Sequence, residues 1–189
     1  MDIISNVCVY GLDNSIKASK YPKSTDTTKC TDEITSTTKS LGSCKTGTGH
    51  DQFLTGIVVQ FDLKFTVKAW VEAERYHFFD FVSSQSTMHR IMEFDLDESY
   101  IKYVDPRMIV IMKELVANYM ADRTKENRLT VLYSNPVGFQ LTARMTTNYR
   151  QLKTMHQQRE FHDLPEWPEF CKWIETLTYF RELCLGGDT

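Results

Sequence analysis

The feature that most constrains this chain is a polar motif near its C-terminus, in which Asn148 and Arg150 are followed after eight residues by Arg159. The spacing of apolar residues around the motif predicts one amphipathic helix from 147 to about 164. Because an α-helix has about 3.6 residues per turn, Asn148 and Arg159 share a face and Arg150 points nearly the opposite way. Such a helix offers hydrogen-bonding groups to two surfaces, which favours a site built jointly with another subunit.

Composition indicates one globular domain spanning residues 1–189. The chain is 41% hydrophobic and 25% charged, which is ordinary for a soluble protein long enough to have a core. Its formal net charge of -3 argues against a general nucleic-acid binder, because such proteins carry a basic excess. No apolar run reaches the roughly 18 residues that a membrane span needs. We therefore expect neither nucleic acid nor membrane as a partner.

Cysteine usage and the first residues favour a cytoplasmic protein. The five cysteines are widely spaced and form no Cys-x-x-Cys pair, so we expect reduced thiols and no zinc ribbon. The first four residues, Met1 to Ile4, include an acid where a signal peptide would carry positive charge. The five histidines show no metal-ligand spacing, and we expect no metal site.

Hydrophobic periodicity predicts an α+β fold in which a small mixed or antiparallel sheet of about four strands packs with four or five helices. The clearest strand is 53–66, where apolar residues alternate with polar ones. Strands are also expected at 3–10 and 129–133, and the segment 141–147 leads into the motif helix. The other expected helices are 15–21, 67–81, 106–123 and 166–180.

Residues 23–49 form a Thr/Ser-rich segment that interrupts this pattern. It holds few large apolar residues, so it can bury little surface. We expect a long loop or insertion, with a helical turn around 32–40. Loops of this length in a compact domain are either functional or disordered.

Two groups of polar residues have the chemistry to hold a phosphate. The first combines Arg75 with the hydroxyl-rich run 83–87 and Arg90, because guanidinium and hydroxyl groups both donate hydrogen bonds to phosphate. The second is the N-terminus of the motif helix: a cap at Thr146 or Thr147 would leave N–H groups free for an anion beside Arg150.

Both groups also have simpler interpretations. The run 83–87 is equally typical of a polar helix exit, and Glu72 and Arg75 have the spacing of a surface salt bridge on a helix. Arg150 and Arg159 could be ordinary surface charges.

These pieces, in this order, resemble the flavin-dependent thymidylate synthase family. That family has an early histidine before a strand, then a helix ending in Arg-His-Arg, seven residues and Ser, and later Asn-x-Arg, eight residues and Arg. Here His50 precedes a predicted strand, and Arg75-Tyr76-His77 stands at the triplet. The later motif, from Asn148 to Arg159, matches in full. The likeness covers roughly two thirds of the chain.

The first motif is degenerate in this chain. Of the two arginines in the triplet only the first is kept, at Arg75, and the position for Ser holds Gln85. Ser84 and Ser86 flank that position, so a shift of one residue could supply the hydroxyl. Glu72 stands where the family has glutamine, and its carboxylate would repel a nucleotide phosphate unless it were paired with Arg75.

The resemblance implies a homotetramer that binds FAD and dUMP between subunits. It also implies methylation of C5 of dUMP with NADPH and methylenetetrahydrofolate as co-substrates. Arg159 would polarise the pyrimidine, with Ser84 or Ser86 beside the nucleotide. The implied cofactor-binding residues are His50, Arg75, His77, Asn148 and Arg150. The implied substrate-binding residues are Glu72, Gln85, Arg90 and Arg159.

Two other functions remain open. A diverged, non-methylating relative could bind a nucleotide or a protein partner, as a regulatory or phage-type accessory protein, and the lost arginine and Glu72 favour it. A structural or protein-binding module could have kept only the fold, with segment 23–49 as its partner segment.

Overall fold

The computed structural model describes residues 3–187, so the Met1-Asp2 pair considered above lies outside it. Its centre is a four-stranded sheet in the order β1-β2-β4-β3, with every neighbouring pair antiparallel. This confirms the expected α+β fold with a small antiparallel sheet. The strands are β1 Ile4–Tyr10, β2 Val58–Thr66, β3 Asp80–Ser84 and β4 Gln140–Asn148.

Helices surround this sheet. The α-helices are α1 Leu12–Ala18, α2 Ser36–Gly42, α3 Val67–Ala73, α4 Thr87–Arg90, α5 Pro106–Ala121, α6 Lys125–Ser134, α7 Tyr149–Arg159 and α8 Glu166–Ile174. Short 3-10 turns lie at Tyr21–Lys23, Thr27–Lys29, Gln52–Gly56 and Ile91–Glu93, and a π-helical turn at Arg181–Leu185. Over residues 3–187, no helix is both long enough and apolar enough to cross a membrane.

The main core lies between one face of the sheet and α3, α7 and α8. Alternate residues of β2 point into it, and Phe61 and Phe65 pack against Phe170 of α8 at centroid distances of 5.9 and 5.8 Å. The period-two pattern of the sequence therefore identified the central strand, but the predicted start at 53 is wrong, because Gln52–Gly56 form a 3-10 turn and the strand begins at Val58. A smaller cluster, centred on Met112, Val131 and Phe139, joins α5 and α6 to the sheet margin.

The segments 129–133 and 74–81 take a different secondary structure from the one predicted. The run 129–133 belongs to helix α6, because Thr124 caps that helix by accepting a hydrogen bond from Asn127 N at 3.2 Å. The helix predicted over 67–81 ends at Ala73, and its last residues begin edge strand β3 instead.

Segment 23–49 packs on the core through α2, which corresponds to the helical turn expected around 32–40. Gly42 allows this approach, since a Cβ there would lie 2.1 Å from Leu183 O in the π-helical turn. Thr38 is also buried on this side. The segment thereby forms one wall above the N-terminus of α7, where the candidate site lies.

Candidate functional site

The N-terminus of α7 is capped by Asn148 itself, and not by Thr146 or Thr147 as the sequence suggested. Asn148 has an extended backbone, and its Oδ1 accepts a hydrogen bond from Gln151 N at 2.9 Å. Thr147 instead donates its hydroxyl to Phe78 O at 2.7 Å, which ties the turn after α3 to this end of the sheet. The helix ends at Arg159, five residues before the predicted end.

Arg150 lies at the rim of this helix end with its side chain 30% exposed. Its Nε donates to Asp51 Oδ1 at 2.9 Å and its Nη1 to Gln52 Oε1 at 3.0 Å. Asp51 is fully buried and also accepts from Lys153 Nζ at 3.0 Å. Lys153, equally buried, donates to Gly42 O at 2.7 Å, so one charge network joins α7 to the end of α2.

A cleft of about 580 Å³ opens beside this network. Backbone N–H groups at a helix N-terminus and the Arg150 guanidinium give it positive potential, which suits an anionic group such as a phosphate. Threonine hydroxyls add hydrogen-bond donors to the cleft, and the exposed ring of Phe78 adds a flat apolar surface. Its lining residues are Thr46, Gly47, Gln52, Thr55, Phe78, Asn148, Arg150, Gln151 and Thr154.

Two further cavities adjoin this cleft. One, of about 620 Å³, is lined by residues of the turn 74–81 that include His77, and Phe78 belongs to both. The other, of about 870 Å³, lies under segment 23–49 and contains His50, with Gln52 as the shared residue. The structure thus brings His50 and His77 to the same end of the sheet as Asn148 and Arg150. Arg75 is exposed in the same turn.

Arg159 lies at the opposite end of α7 and is buried. Its Nε donates to Tyr76 Oη at 2.7 Å and its Nη1 to Glu72 Oε2 at 2.9 Å. The guanidinium also lies 4.7 Å from the centre of the Trp167 ring, a cation–π distance. Tyr76, the middle residue of the degenerate triplet, therefore connects the two sequence motifs directly. Arg159 lines none of the three cavities described above.

Glu72 is the centre of this buried cluster. It accepts a hydrogen bond from Lys68 at 2.9 Å and lies 3.1 Å from His162 Nε2, in addition to its bond with Arg159. Burial raises the pKa of Glu72, but Lys68, His162 and Arg159 outweigh that effect and lower the pKa below its ordinary value. The groups that pair with this carboxylate are these three, while Arg75, the partner suggested by spacing, lies exposed.

Strand β3 contains one extra residue. Phe81 pairs with Met145 but Ser83 pairs with Arg144, so Val82 is bulged out of the ladder. If that residue is left out of the count, the position that follows seven intervening residues after His77 is Ser86 and not Gln85. Gln85 is used structurally, since its Oε1 accepts from Thr142 N at 2.9 Å. The bulge is compatible with the one-residue shift considered in the sequence.

Ser86 and Arg90 lie at the far end of β3 in a separate cleft of about 410 Å³. Arg90 donates through Nη1 to both carboxylate oxygens of Glu93, at 2.7 and 2.5 Å, and Ser84 is exposed on the sheet edge. The four steps between the first and last of the five residues of β3, at about 3.3 Å each, separate its ends by roughly 13 Å. Within one chain, Arg75 therefore does not converge with Ser86 and Arg90 on one phosphate.

One group with metal-ligand chemistry escaped the sequence analysis. Ligand atoms of His156, Glu160 and Glu175 lie within 4.8 Å of one another. Glu175 already accepts from Arg181 at 2.6 and 3.0 Å and contacts His156 Nε2 at 2.8 Å. Hydrogen bonding from His156 first, and then from Arg181, lowers the pKa of Glu175 despite its burial. These contacts make the group an ion-pair network that joins α7, α8 and the π-helical turn.

The sequence analysis also missed Asp51, Lys153 and Phe78. Lys153 could have been found from the sequence, because it lies on the core-facing side of α7, one turn after Tyr149 and one before His156. A lysine at such a position needs a buried acidic partner. Asp51 and Phe78 had no such signal, because their roles depend on contacts between segments far apart in the chain.

The fold is similar to that of the flavin-dependent thymidylate synthase ThyX from Helicobacter pylori, solved in complex with FAD and dUMP. Two crystal structures of that enzyme each match with a TM-score of 0.70, over 94% of this chain and 96% of theirs, at 14% sequence identity. No protein-family model and no curated protein matches the chain. The chain therefore has a ThyX-like fold.

Proposed function

We propose that this protein binds FAD and a pyrimidine nucleotide of the dUMP type and modifies C5 of the pyrimidine ring, by methylation to dTMP. The observation that carries the proposal is the position of Asn148 and Arg150 at an open cleft in a fold that matches, over nearly its whole length, proteins solved with FAD and dUMP. NADPH and methylenetetrahydrofolate would be the co-substrates.

The residues around the α7 N-terminus fit a flavin nucleotide. Arg150 and the helix N-terminus would bind a phosphate of FAD, and the threonine hydroxyls of the cleft would bond its sugar or phosphate oxygens. His77 and His50 line the adjoining cavities, where a ligand longer than one cleft would extend. When bound, the flavin would supply hydride chemistry, while the chain binds and orients it.

The nucleotide end of the proposed site needs a second copy of the chain. Ser86 and Arg90 face a cleft at one end of β3 and the turn that holds His77 lies at the other, with roughly 13 Å of strand between the two ends, so one chain offers the two halves separately. In a homotetramer, Ser86 of one copy would lie beside the flavin cleft of another. Ser86 is preferred to Ser84, because the bulge at Val82 gives it the motif spacing. The Arg90 guanidinium would release the Glu93 carboxylate and bind a phosphate of the nucleotide in its place.

Arg159 can polarise the pyrimidine only if its present hydrogen bonds within the chain are replaced. A guanidinium polarises a pyrimidine by donating to the oxygen on which negative charge develops. Here its Nε and Nη1 are directed at Tyr76 and Glu72. The nucleotide would have to replace Glu72 as the partner of this cation, and the free energy of that ion pair would oppose its binding.

The proposal is tested in two stages. The purified protein is incubated with FAD, desalted and examined for retained visible flavin absorption, and its mass in solution is measured. Flavin-loaded protein is then given dUMP, NADPH and methylenetetrahydrofolate, and dTMP is measured. Retained flavin, a tetrameric mass and dTMP formation are the expected results. Protein that neither retains flavin nor binds dUMP would overturn the assignment.

A second candidate is a non-methylating relative that binds the nucleotide alone. The observation that favours it is the Glu72 carboxylate, which holds Arg159 inside the chain. This candidate predicts that dUMP raises the melting temperature of flavin-free protein while no dTMP forms. Flavin-dependent turnover would exclude it.

A further inference from the structure

Phe78 combines two unfavourable features. Its φ of +63° is in the left-handed region, which a bulky side chain rarely adopts. Its side chain is also 68% exposed to solvent, so the ring gains little from burial. A residue that is both strained and exposed suggests a role outside the packing of this chain.

The strain at Phe78 is imposed by its neighbours. Tyr76 and Phe79 are both buried, and the Phe79 ring lies 5.9 Å from that of Phe170 in the core. Thr147 holds the Phe78 carbonyl with a hydrogen bond of 2.7 Å. The backbone is therefore fixed on both sides, and the Phe78 ring points outward in a defined position.

That position lies between two polar clefts. The ring lines the cleft of Asn148 and Arg150 on one side and the cleft of His77 on the other. An aromatic face beside cationic and hydrogen-bonding groups matches a ligand that has a flat conjugated ring and an anionic tail.

We propose that Phe78 is a stacking platform for the planar heteroaromatic ring of the bound nucleotide, while Arg150 holds its phosphate. The inference rests on the proposed function and deepens it. The ring is the flavin of FAD, because the proposed function assigns Arg150 to a phosphate of FAD and Arg90 to that of dUMP. The pyrimidine of dUMP shares this chemistry, so the two ligands are tested separately.

The test is Phe78→Gly, because glycine removes the exposed ring but tolerates the positive φ. The effect of the ring on binding is thereby separated from the backbone strain. Glycine adopts a positive φ without steric cost, so the melting temperature should stay the same or rise. Loss of the ring should weaken binding of FAD, or of dUMP if the pyrimidine stacks, by about tenfold or more. Phe78→Trp should restore the affinity and, for flavin stacking, should add quenching of the flavin fluorescence, because a stacked indole donates an electron to the excited flavin and a phenyl ring does not.

The chain offers a matched control in Tyr179, which has a φ of +57° and is 46% exposed. It lines neither of the two clefts. Tyr179→Gly should likewise leave the melting temperature unchanged or raised, and affinity for both ligands should remain at the wild-type value.

Three results would overturn the inference. Wild-type protein that binds neither ligand would remove this inference and the proposed function together. Wild-type affinity in Phe78→Gly for both FAD and dUMP would overturn the stacking alone. A fall in solution mass that accompanies the loss of binding would assign Phe78 to a contact between copies of the chain.

Discussion

The two ends of helix α7 carry two arginines of one motif in opposite environments. Arg150 has a 30% exposed side chain at an open cleft, whereas the side chain of Arg159 is 7% exposed beneath aromatic rings. The family resemblance assigned both arginines to a ligand site. The difference shows that motif spacing fixes the direction of a side chain on a helix, while the segments packed there decide whether a ligand can reach it.

The charge balance also differs between the two ends. At the N-terminal end the buried cation is Lys153, which pairs with Asp51 and leaves Arg150 at the rim. At the C-terminal end Arg159 itself is the buried cation, paired with Glu72. The contribution to stability should therefore be large for Asp51 and Arg159 and small for Arg150.

The largest effect is expected from Asp51→Ala. The substitution leaves fully buried Lys153 without its carboxylate, and breaking a buried pair in this way costs about 3–5 kcal/mol. Denaturant unfolding would measure the loss. The matched control is Asp97→Ala, which breaks an exposed pair with Lys113 and should cost less than about 1 kcal/mol. Equal losses in the two variants would contradict the buried network.

The next largest effect is expected from Arg159→Ala, which should lower the free energy of unfolding by about 3 kcal/mol. Glu72 would keep Lys68 and His162 as partners, which limits the loss, but the packing against Tyr76 and Trp167 would also disappear. The control Arg123→Ala removes an exposed arginine and should change stability little. A stable Arg159→Ala protein would mean that the C-terminal end is not a structural cluster.

The Glu72 cluster should give a smaller, pH-dependent effect. Because the folded pKa of Glu72 is lowered, its contribution to stability is present above the ordinary value of 4.5 and is lost as the pH falls below it. The difference in unfolding free energy between wild type and Glu72→Gln should thus shrink on acidification from neutral pH. A difference that is constant across this range would indicate that the carboxylate is not stabilised by its cations.

Much of the fold followed from local patterns. The alternation of β2 and the periodicity of α7 were visible in the sequence because both depend on residues close along the chain. The helix predicted through 67–81 was too long, since apolar residues at helical spacing continued into β3. The run from Leu129 to Tyr133 has the pattern of a strand. The Thr124 cap that begins helix α6 stands five residues before that run, so the run alone did not indicate a helix.

The candidate site was less predictable because its contacts join distant segments. The motif residues Asn148, Arg150 and His77 were found by resemblance, but nothing local indicated that Glu72 would pair with Arg159, 87 residues away. Asp51 and Phe78 were missed for the same reason. The bulge at Val82 was likewise invisible in the sequence, although the proposed choice of Ser86 over Ser84 rests on it.

The most direct test of this account compares the FAD dissociation constants of wild type, Arg150→Ala and Arg123→Ala. The account predicts at least tenfold weaker binding in Arg150→Ala, equivalent to about 1.4 kcal/mol, with stability reduced by less than about 1 kcal/mol. Arg123→Ala should bind FAD as wild type does. Equal affinity in wild type and Arg150→Ala would contradict the claim that the open end of α7 holds the ligand.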